Sequence, residues 1–388
     1  MNDIETRPSR IAAPAPVRLD AVEMRLVRLP LVEPFETSLW RIESRLIFLI
    51  KLEADGIAGW GEVVATEEPD YSYETVGTAR HVIRDCFAPL LLDKPLTSLP
   101  SLAERLARFR GHPMARAGLE LAFTDLVARL RKEPLSKVLG GTQEKIPVGV
   151  SLGIQPDPEK LMRRVDESLA AGYRRIKLKI RPGWDLDIVA EVRRRHPDIL
   201  LSVDANAAYL SADAAHLKKL DQYKLLMIEQ PLHYEDLMDH AKLQARLATS
   251  ICLDESITGL RAAENALALG SCKIINMKVG RVGGYSQALP IHDLCQTHKI
   301  PLWCGGMLES GIGRCHNVAL ASLPGFTLPG DISASKRYFS RDVIVPPVEV
   351  SKDGYVTVPK SPGLGHEIDV DFIQSRTESV ERITRKPS

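Results

Sequence analysis

Three acidic residues in the middle of the chain stand about 25 residues apart, and each one ends a short apolar run. Asp204 ends ILLSVD, Glu229 ends LLMIE and Asp254 ends SICLD. Carboxylate oxygens without an accompanying His or Cys are ligands that favour Mg²⁺ or Mn²⁺ over zinc. Such an ion could bind a substrate carboxylate and stabilise the charge that develops when the neighbouring carbon loses a proton. The spacing therefore predicts a metal site for chemistry next to a carboxylate.

Lysines on either side of these acids are the candidate bases. Lys177 and Lys179 lie in the run RRIKLKI, and Lys278 ends KIINMK about one further period after Asp254. A lysine that acts as a base has to be neutral near pH 7, and nearby cations favour the neutral form. Two bases on opposite sides of one carbon permit racemisation, whereas one base acting alone permits a syn elimination. Both reactions share an enediolate, so both stay open.

Each of these residues taken alone has an ordinary structural interpretation. A Lys-x-Lys pair is usually a solvated strand edge, and a carboxylate after a strand is commonly a helix N-cap. Glu229 could be a salt-bridge partner. The functional interpretation is favoured because residues of matching chemistry recur at one period. The alternative is a non-catalytic protein of the same fold, which we expect to lack a ligand or a base; here none is missing.

A repeat of strands and helices is needed to bring these side chains together. The apolar runs predict buried strands, and stretches such as DLDIVAEVRRRHP predict helices between them. The period extends to IPVGVSLGI (146–154), IPLWC (300–304) and a possible eighth strand, FTLPGD (326–331). Alternating strands and helices predict a parallel sheet, and eight such strands suggest a TIM-type barrel. The carboxyl ends of barrel strands surround one mouth, where the active site is built.

The flanking regions predict an α+β domain that accompanies the barrel. Strand-like runs fill residues 18–63, and helical patterns fill 72–92 and 99–132. The predicted boundaries are 1–17 for a disordered extension, 18–140 for the α+β domain, 141–335 for the barrel, 336–375 for a return to the first domain and 376–388 for a tail.

Composition narrows the classes of partner. The 388 residues include 51 Lys+Arg and 50 Asp+Glu, which leaves a formal net charge of +1. A near-neutral chain has no overall field to attract nucleic acid or an anionic membrane. The six cysteines form no C-x-x-C pair, so reduced thiols in a cytoplasmic protein are expected. No apolar stretch reaches 18 residues, and the N-terminus lacks the apolar core of a signal peptide.

A glycine-rich run near the end of the predicted barrel is a second candidate site. CGGMLESGIGR (304–314) lacks the Gly-Lys-Ser/Thr of a P-loop, and GRVGG (280–284) lacks the spacing of a dinucleotide fingerprint. A flexible turn is one interpretation of the run. We favour the other, in which its backbone N–H groups face a substrate carboxylate.

These residues resemble the enolase superfamily, and within it the muconate-cycloisomerase-like subgroup, which uses a lysine on each side. The resemblance spans about residues 18 to 375, and its motifs are KLK (177–179), DAN (204–206), EQP (229–231), DES (254–256) and Lys278. It implies an α/β fold with a modified TIM barrel of the (β/α)7β type. It also implies that N-terminal and C-terminal segments together form an α+β capping domain over the barrel mouth.

Further segments resemble the N-acylamino-acid (N-succinylamino-acid) racemase and o-succinylbenzoate synthase family: PFETS (34–38), GWGEVVA (59–65), NMKVGRVGGY (276–285), CGGMLESGIGR (304–314) and TLPGDISASKRYF (327–339). The resemblance implies that Lys179 and Lys278 are the acid/base pair and that Lys177 supports the substrate carboxylate. The implied ligands of Mg²⁺ (or Mn²⁺) are Asp204, Glu229 and Asp254. The implied substrate contacts are Asn206, Thr37, Ser38, Met307, Leu308, Glu309, Ser310 and Gly311.

The implied activity is removal of the proton α to a carboxylate of a small molecule. The outcome would be racemisation of N-succinylamino acids, dehydration to o-succinylbenzoate, or both. A muconate cycloisomerase and a dipeptide epimerase are the alternatives, although the last strand lacks the Asp-x-Asp with which such epimerases bind an amine. PFETS would be a mobile lid, and it is followed by Leu39-Trp40 where a small residue is expected. Relatives are often homo-oligomers, so a homo-oligomer is expected here.

Overall fold

The structure, a computed structural model, describes residues 11–37 and 40–385. Its N-terminal part combines antiparallel strands with a group of helices. The strands are β1 (Ala12–Val17), β2 (Ala21–Glu36), β3 (Arg41–Ala54), β4 (Ile57–Val63) and β5 (Leu96–Ser98). The α-helices are α1 (Val76–Val82), α2 (Ala88–Asp93), α3 (Leu99–Leu106), α4 (Pro113–Arg131) and α5 (Leu135–Leu139).

The central part alternates strands and helices. The strands are β6 (Lys145–Pro147), β7 (Val150–Leu152), β8 (Arg175–Lys179), β9 (Leu200–Asp204), β10 (Ile228–Glu229), β11 (Ile251–Leu253), β12 (Ile274–Met277) and β13 (Leu302–Cys304). The helices are α6 (Pro158–Ala170), α7 (Leu186–Arg195), α8 (Ala214–Leu217), α9 (Met238–Gln244), α10 (Leu260–Leu269), α11 (Val279–Val282), α12 (Tyr285–Thr297) and α13 (Gly311–Ala321).

Strands β7 to β13 form one parallel sheet in which every strand lies beside its neighbour in sequence. The segment after α13 closes this sheet: Phe326 bridges Leu302 of β13, and Gly330 bridges Val148 just before β7. The predicted eighth strand is therefore present as two single bridges. The predicted fold class, a barrel of the (β/α)7β type with an α+β capping domain, is confirmed.

The C-terminal segment contains β14 (Ile344–Val345), β15 (Tyr355–Thr357), β16 (Glu367–Ile368), α14 (Val370–Ser375) and β17 (Thr377–Thr384). Strand β15 pairs with β6 at the start of the barrel, and β14 pairs with β16. Strand β17 pairs along β2 and completes a four-stranded sheet in the order β17-β2-β3-β4. We call this sheet, together with α1 to α5, the capping domain.

Two terminal predictions are wrong for the described residues. Ala12–Val17 was expected to be disordered but forms β1, which pairs with β5 and buries Val17. The expected tail after residue 375 is strand β17, so the return to the capping domain comes later in the chain than predicted. Strand β17 has no buried residue and alternates half-buried with exposed positions, so no apolar run marks it. Residues 1–10 lie outside the described part of the chain.

The capping domain depends on close packing between β4 and the buried helix α4. Gly59 and Gly61 face this helix, and a Cβ on either would lie under 3.0 Å from backbone atoms of α4. Helix α4 begins after His112, and the carboxylate of Glu74 accepts hydrogen bonds from Met114 N at 2.7 Å and Ala115 N at 2.9 Å. A distant side chain thus satisfies the first N–H groups of the helix.

Replacing Gly59 by alanine tests this packing. The new methyl group has backbone rather than a movable side chain against it, so the sheet or the helix must shift. We expect Gly59→Ala to lower the free energy of unfolding by about 1–3 kcal/mol, measured by urea denaturation. Ala58→Ser changes the preceding residue, which lies on the opposite face of the strand, and is the control. Equal stability of both variants and the parent protein would contradict the packing.

Candidate active site

The six predicted site residues on the barrel strands lie at the carboxyl ends of consecutive strands. Lys177 and Lys179 are on β8, and Lys179 pairs in register with Asp204 at the end of β9. Asp204 in turn pairs with Glu229 at the end of β10. Asp254 and Lys278 directly follow β11 and β12. Each of the six side chains is buried.

Lys179 is held by the residues that follow β9. Its Nζ donates to Asp204 Oδ2 at 2.6 Å and to Asn206 Oδ1 at 2.6 Å. Asn206 adopts a positive φ of 44°, which its amide side chain tolerates, and its backbone N–H bonds Asp204 Oδ1 at 3.0 Å. The other end of the amide donates to Glu255 at 2.9 Å. The turn after β9 therefore fixes the position of the Lys179 amine.

Lys177 lies among three carboxylates beneath the site. Its Nζ is 2.8 Å from Asp331, 2.9 Å from Glu229 and 3.1 Å from Asp204. The indole ring of Trp303 lies on the other side, with its centroid 4.8 Å away. Burial alone would lower the pKa of Lys177, but the carboxylates hold it well above its ordinary value. Lys177 is therefore a fixed positive charge rather than a base.

Lys278 stands at the other side of the closed sheet, four strands from β8. Its Nζ donates to Asp254 at 2.7 Å and to Tyr71 OH at 3.2 Å, and it lies 4.5 Å from the centroid of the Tyr71 ring. Burial would lower the pKa of Lys278, but the charge of Asp254 raises it above its usual value. The ammonium form is the resting state of this side chain.

The three strand-end acids differ in how readily they ionise. Burial, followed by the charge of Asp204, raises the pKa of Glu229 to about 8. Burial opposes ionisation of Asp204 and Asp254 too, but Lys179 and Lys278 respectively outweigh it, so both pKa values lie below normal. Of the three acids, Glu229 is therefore the one whose ionised form the site disfavours.

Two further acceptor atoms at the site lack a hydrogen-bond partner within the described residues. They are Glu255 Oε2 and Asn276 Oδ1, and both are buried. Asn276 contacts Glu229 through its amide nitrogen at 2.8 Å. Buried acceptors in excess of donors are expected where a cation belongs. The donor set of Asp204, Glu229 and Asp254 consists of oxygens and fits a hard divalent ion in kind.

The carboxylates are not gathered into a ready-made cluster. Within residues 11–37 and 40–385, no three His, Cys, Asp or Glu side chains stand at metal-ligand spacing. Each acid instead contacts a cationic side chain, as Asp254 does with both Lys278 and Arg281. We expect metal binding to be accompanied by adjustment of these contacts. The chemistry of the donors thus fits a metal, while their present spacing is that of ion pairs.

A small cavity of about 60 Å³ lies over the lysines. Phe35 of the capping domain, near the tip of the β2–β3 hairpin, covers this cavity. The backbone carbonyl of the next residue, Glu36, accepts a hydrogen bond from Ile154 N at 3.0 Å. The lining residues are Phe35, Ser151, Lys177, Lys179, Lys278, Gly306, Leu308, Glu309, Arg314, Asp331 and Tyr338. All three lysines therefore face one space, which the capping domain covers.

The prediction for the glycine-rich run is wrong in one respect. Its backbone N–H groups were expected to face substrate, but Ser310 N and Ser310 Oγ donate to Glu62 of the capping domain, the latter at 2.6 Å. Gly311 N donates to Asp342 at 2.7 Å. Buried carboxylates of the protein thus occupy these donors. Neither Ser310 nor Gly311 lines the cavity.

Of the other predicted substrate contacts, some line the cavity and others do not. Leu308 and Glu309 line the cavity, whereas Met307 is half-buried beside it. Thr37 is buried at the hairpin tip, where its hydroxyl accepts from Trp40 N at 3.1 Å. Trp40 packs edge-on against Tyr71 at 6.4 Å. Ser38 lies outside the described residues.

Sequence reasoning missed three residues that contact the predicted site. Tyr71, from the loop between β4 and α1, donates to Asp254 at 2.9 Å, and nothing in its surroundings in sequence indicates this. Arg281 contacts Asp254 and donates to Asn276 O at 2.6 Å. Asp331 ends the eighth strand and bonds Lys177 and Arg175. The rule that selected Asp204 would have selected Asp331 as well.

A pH dependence of stability arises where the capping domain meets the barrel. Glu120 on α4 accepts hydrogen bonds from Ser286 N at 2.8 Å and Ser286 Oγ at 2.6 Å on α12. Burial nevertheless raises the pKa of Glu120 to about 7 from 4.5. Because the pKa is higher in the folded protein, protonated Glu120 stabilises the fold. This contribution is fully present below pH 4.5 and is lost as the pH rises through 7.

We expect Glu120→Gln to remove this part of the dependence. Between pH 5 and 8.5 the parent protein should lose on the order of 2 kcal/mol more than the variant. Denaturant unfolding at both pH values measures the difference. Glu104→Gln, an exposed change on α3, should follow the parent protein. If the free energy of unfolding changed equally with pH in the parent protein and in Glu120→Gln, this role of Glu120 would be excluded.

Comparison with known proteins places this site in a class. The family model described as enolase C-terminal domain-like matches residues 160–372, and that of the mandelate racemase / muconate lactonizing enzyme N-terminal domain matches 21–140. A solved member of the enolase superfamily from Listeria innocua superposes with a TM-score of 0.92 at 42% identity, covering 95% of this chain and 100% of that one. The fold and the matching domains define an enzyme of the enolase superfamily.

Two relatives narrow the class further. An o-succinylbenzoate synthase from Geobacillus kaustophilus is 48% identical, over 93% of this chain and 96% of its own length. An N-succinylamino acid racemase from Thermus thermophilus is 47% identical, over 93% and 98% respectively. The chain belongs to the family of o-succinylbenzoate synthases and N-succinylamino acid racemases, as the sequence motifs predicted. Members of the superfamily use a divalent metal ion.

Proposed function

We propose that this enzyme removes the proton α to a carboxylate of a small molecule, and that it racemises N-succinylamino acids, forms o-succinylbenzoate by dehydration of a different carboxylate substrate, or does both. The observation that carries the proposal is the placement of Lys179 and Lys278. Lys179 ends β8 and Lys278 directly follows β12, four strands away in the closed sheet, and both face one cavity. A carbon held between them can lose a proton to one amine and receive one from the other.

The remaining residues hold the charges that this transfer requires. Lys278 is protonated in its ion pair with Asp254, so it is the proton donor when Lys179 is the acceptor. Asp204 and Asn206 aim the Lys179 amine, and Lys177 contributes a positive charge under the reacting carboxylate. Asp204, Glu229 and Asp254 would hold Mg²⁺ or Mn²⁺, which would stabilise the negative charge developing on that carboxylate.

The same geometry accounts for two outcomes. Proton return on the opposite face inverts the carbon, whereas loss of a neighbouring hydroxyl after proton removal is an elimination. A dipeptide epimerase is not favoured because Asp331, an acid at the end of the last strand, is already bound by Arg175 and Lys177. A chloromuconate cycloisomerase from Pseudomonas putida is a more distant relative, at 26% identity.

The experiment follows one pure enantiomer in D₂O. N-succinyl-L-phenylalanine is incubated with the protein and Mg²⁺, α-deuterium is followed by NMR and rotation by polarimetry. A separate assay measures formation of o-succinylbenzoate. We expect deuterium exchange with racemisation, formation of o-succinylbenzoate in the separate assay, or both. Absence of exchange, racemisation and dehydration would refute the proposed function.

We also infer that the protein works in a reducing compartment such as the cytoplasm. All six cysteines are unpaired, and five of them are buried. Buried thiols of this kind are usual where disulfides do not persist. Independently, no helix in the described part of the chain is both long and apolar enough to cross a bilayer.

A further inference from the structure

The cavity over the lysines is too small for the proposed substrate. A buried water needs at least about 10–15 Å³, so 60 Å³ holds only a few water-sized groups. Pockets for small molecules usually measure about 300–1,000 Å³. The carboxylate and the α-carbon fill such a space, and the N-acyl arm has to extend elsewhere.

A second cavity of about 550 Å³ adjoins the first, and we call it the antechamber. Phe35 and Tyr338 line both cavities and stand edge to face at 6.5 Å. Ser151 lines the inner cavity, and the next residue on β7, Leu152, lines the antechamber. The two spaces therefore meet at one aromatic pair, and the antechamber has room for the arm.

The charges of the antechamber indicate what its occupant carries. Five cationic side chains line it, against two carboxylates: Arg41, Lys160, Arg164, Arg181 and Arg337 face Glu33 and Glu36. Glu33 is already paired with Arg164, and Arg41 is paired with Glu43. Within the described residues, no ion pair is made by Lys160, Arg181 or Arg337. The chamber has an excess of positive charge.

Arg337 lines the antechamber next to Tyr338, which lines both cavities. Its Nη2 donates to the carbonyl of Ser151 at 2.8 Å, which anchors the guanidinium beside the inner cavity. Its Nε is buried without a hydrogen-bond partner among the described residues. A buried donor without an acceptor is costly, and a carboxylate is the acceptor that a guanidinium binds best.

We propose that the antechamber is the binding site for the terminal carboxylate of the acyl arm, with Arg337 and Arg181 as its main contacts. The site selects N-acyl groups that end in a carboxylate over neutral groups of the same length. This inference rests on the proposed function, since it concerns the arm of that substrate. It adds the residues that distinguish a dicarboxylic acyl group from a neutral one.

The test compares N-succinyl-L-phenylalanine with its terminal amide, N-succinamoyl-L-phenylalanine, which has the same length but no terminal charge. Binding to the Mg²⁺-loaded protein is measured by calorimetry, and turnover by α-deuterium exchange. We expect the parent protein to bind the charged compound at least about tenfold more tightly. Arg337→Gln should reduce this preference about tenfold. Arg181→Gln should reduce it about fivefold, because the Arg181 side chain is exposed. In turnover, both variants should change mainly the KM for the charged compound.

Lys336→Gln is the matched control, because it removes an exposed positive charge next to Arg337 that does not line the antechamber. It should keep the parent preference. If Arg337→Gln fails to fold, the preference of Arg181→Gln for the charged compound tests the proposal instead. Equal binding of the two compounds by the parent protein would overturn the antechamber proposal, as would an unchanged preference in folded Arg181→Gln.

The two proposals fail in different ways. Turnover of both compounds without a charge preference overturns the antechamber and leaves the proposed function standing. A charge preference in binding without any turnover supports the antechamber, and it overturns the proposed function if the separate assay also detects no o-succinylbenzoate. Absence of binding for both compounds overturns both.

Discussion

Lys278→Ala is expected to lower the rate of racemisation by about 10²–10⁴, the usual contribution of a positioned acid or base. The reason is that Lys278 and Lys179 both line the cavity, from strands that lie four apart in the closed sheet. Lys179→Ala should lose racemisation to the same extent. Polarimetry measures both rates, and circular dichroism shows that both variants are folded.

The two variants should differ in which α-proton they exchange. A variant that keeps one amine can still remove the proton that faces it, so Lys179→Ala and Lys278→Ala should each exchange only one enantiomer in D₂O, and not the same one. Lys273→Ala changes an exposed lysine just before β12 and should behave as the parent protein. Loss of the same exchange in both variants would contradict a carbon held between two amines.

Removal of divalent metal is the second change for which a large effect is expected. A chelator should reduce turnover about 10³-fold or more, because a metal ion contributes several kcal/mol of charge stabilisation. Mg²⁺ or Mn²⁺ should restore it. Glu229→Gln should not recover on addition of metal, whereas Glu235→Gln, an exposed change in the following loop, should recover fully.

Metal affinity should also depend on pH. Burial and the charge of Asp204 raise the pKa of Glu229 to about 8, so a proton competes with the ion for this carboxylate. We expect the dissociation constant for Mg²⁺ to fall as the pH rises from 6.5 to 8.5 and then to level off. Full activity in excess chelator, or affinity independent of pH over this range, would contradict the assignment of Glu229 as a ligand.

The strand-end residues of the barrel could be predicted because two local signals coincide. Short apolar runs indicate buried strands, and a parallel sheet places the residue after each run at one mouth. Asp204, Glu229 and Asp254 satisfy both conditions, and the structure places them on adjacent strands. Asp331 satisfied both as well, but its strand consists of two single bridges, so the apolar run was weak.

Contacts between the domains could not be predicted in this way. Glu62 precedes its partner Ser310 by 248 residues, and no periodic pattern links β4 to the turn before α13. The free N–H groups of that turn looked available for a substrate because their acceptor comes from the other domain. Tyr71 was missed for the same reason, since its loop shows no pattern and its contact with Asp254 exists only when the capping domain is in place.

The most direct test of this account is diffraction from crystals grown with Mn²⁺ and an N-succinylamino acid. We expect an anomalous peak bound by Asp204, Glu229 and Asp254, and the α-carbon between the amines of Lys179 and Lys278. Both amines on one face of that carbon, or the ion bound by other residues, would contradict the account.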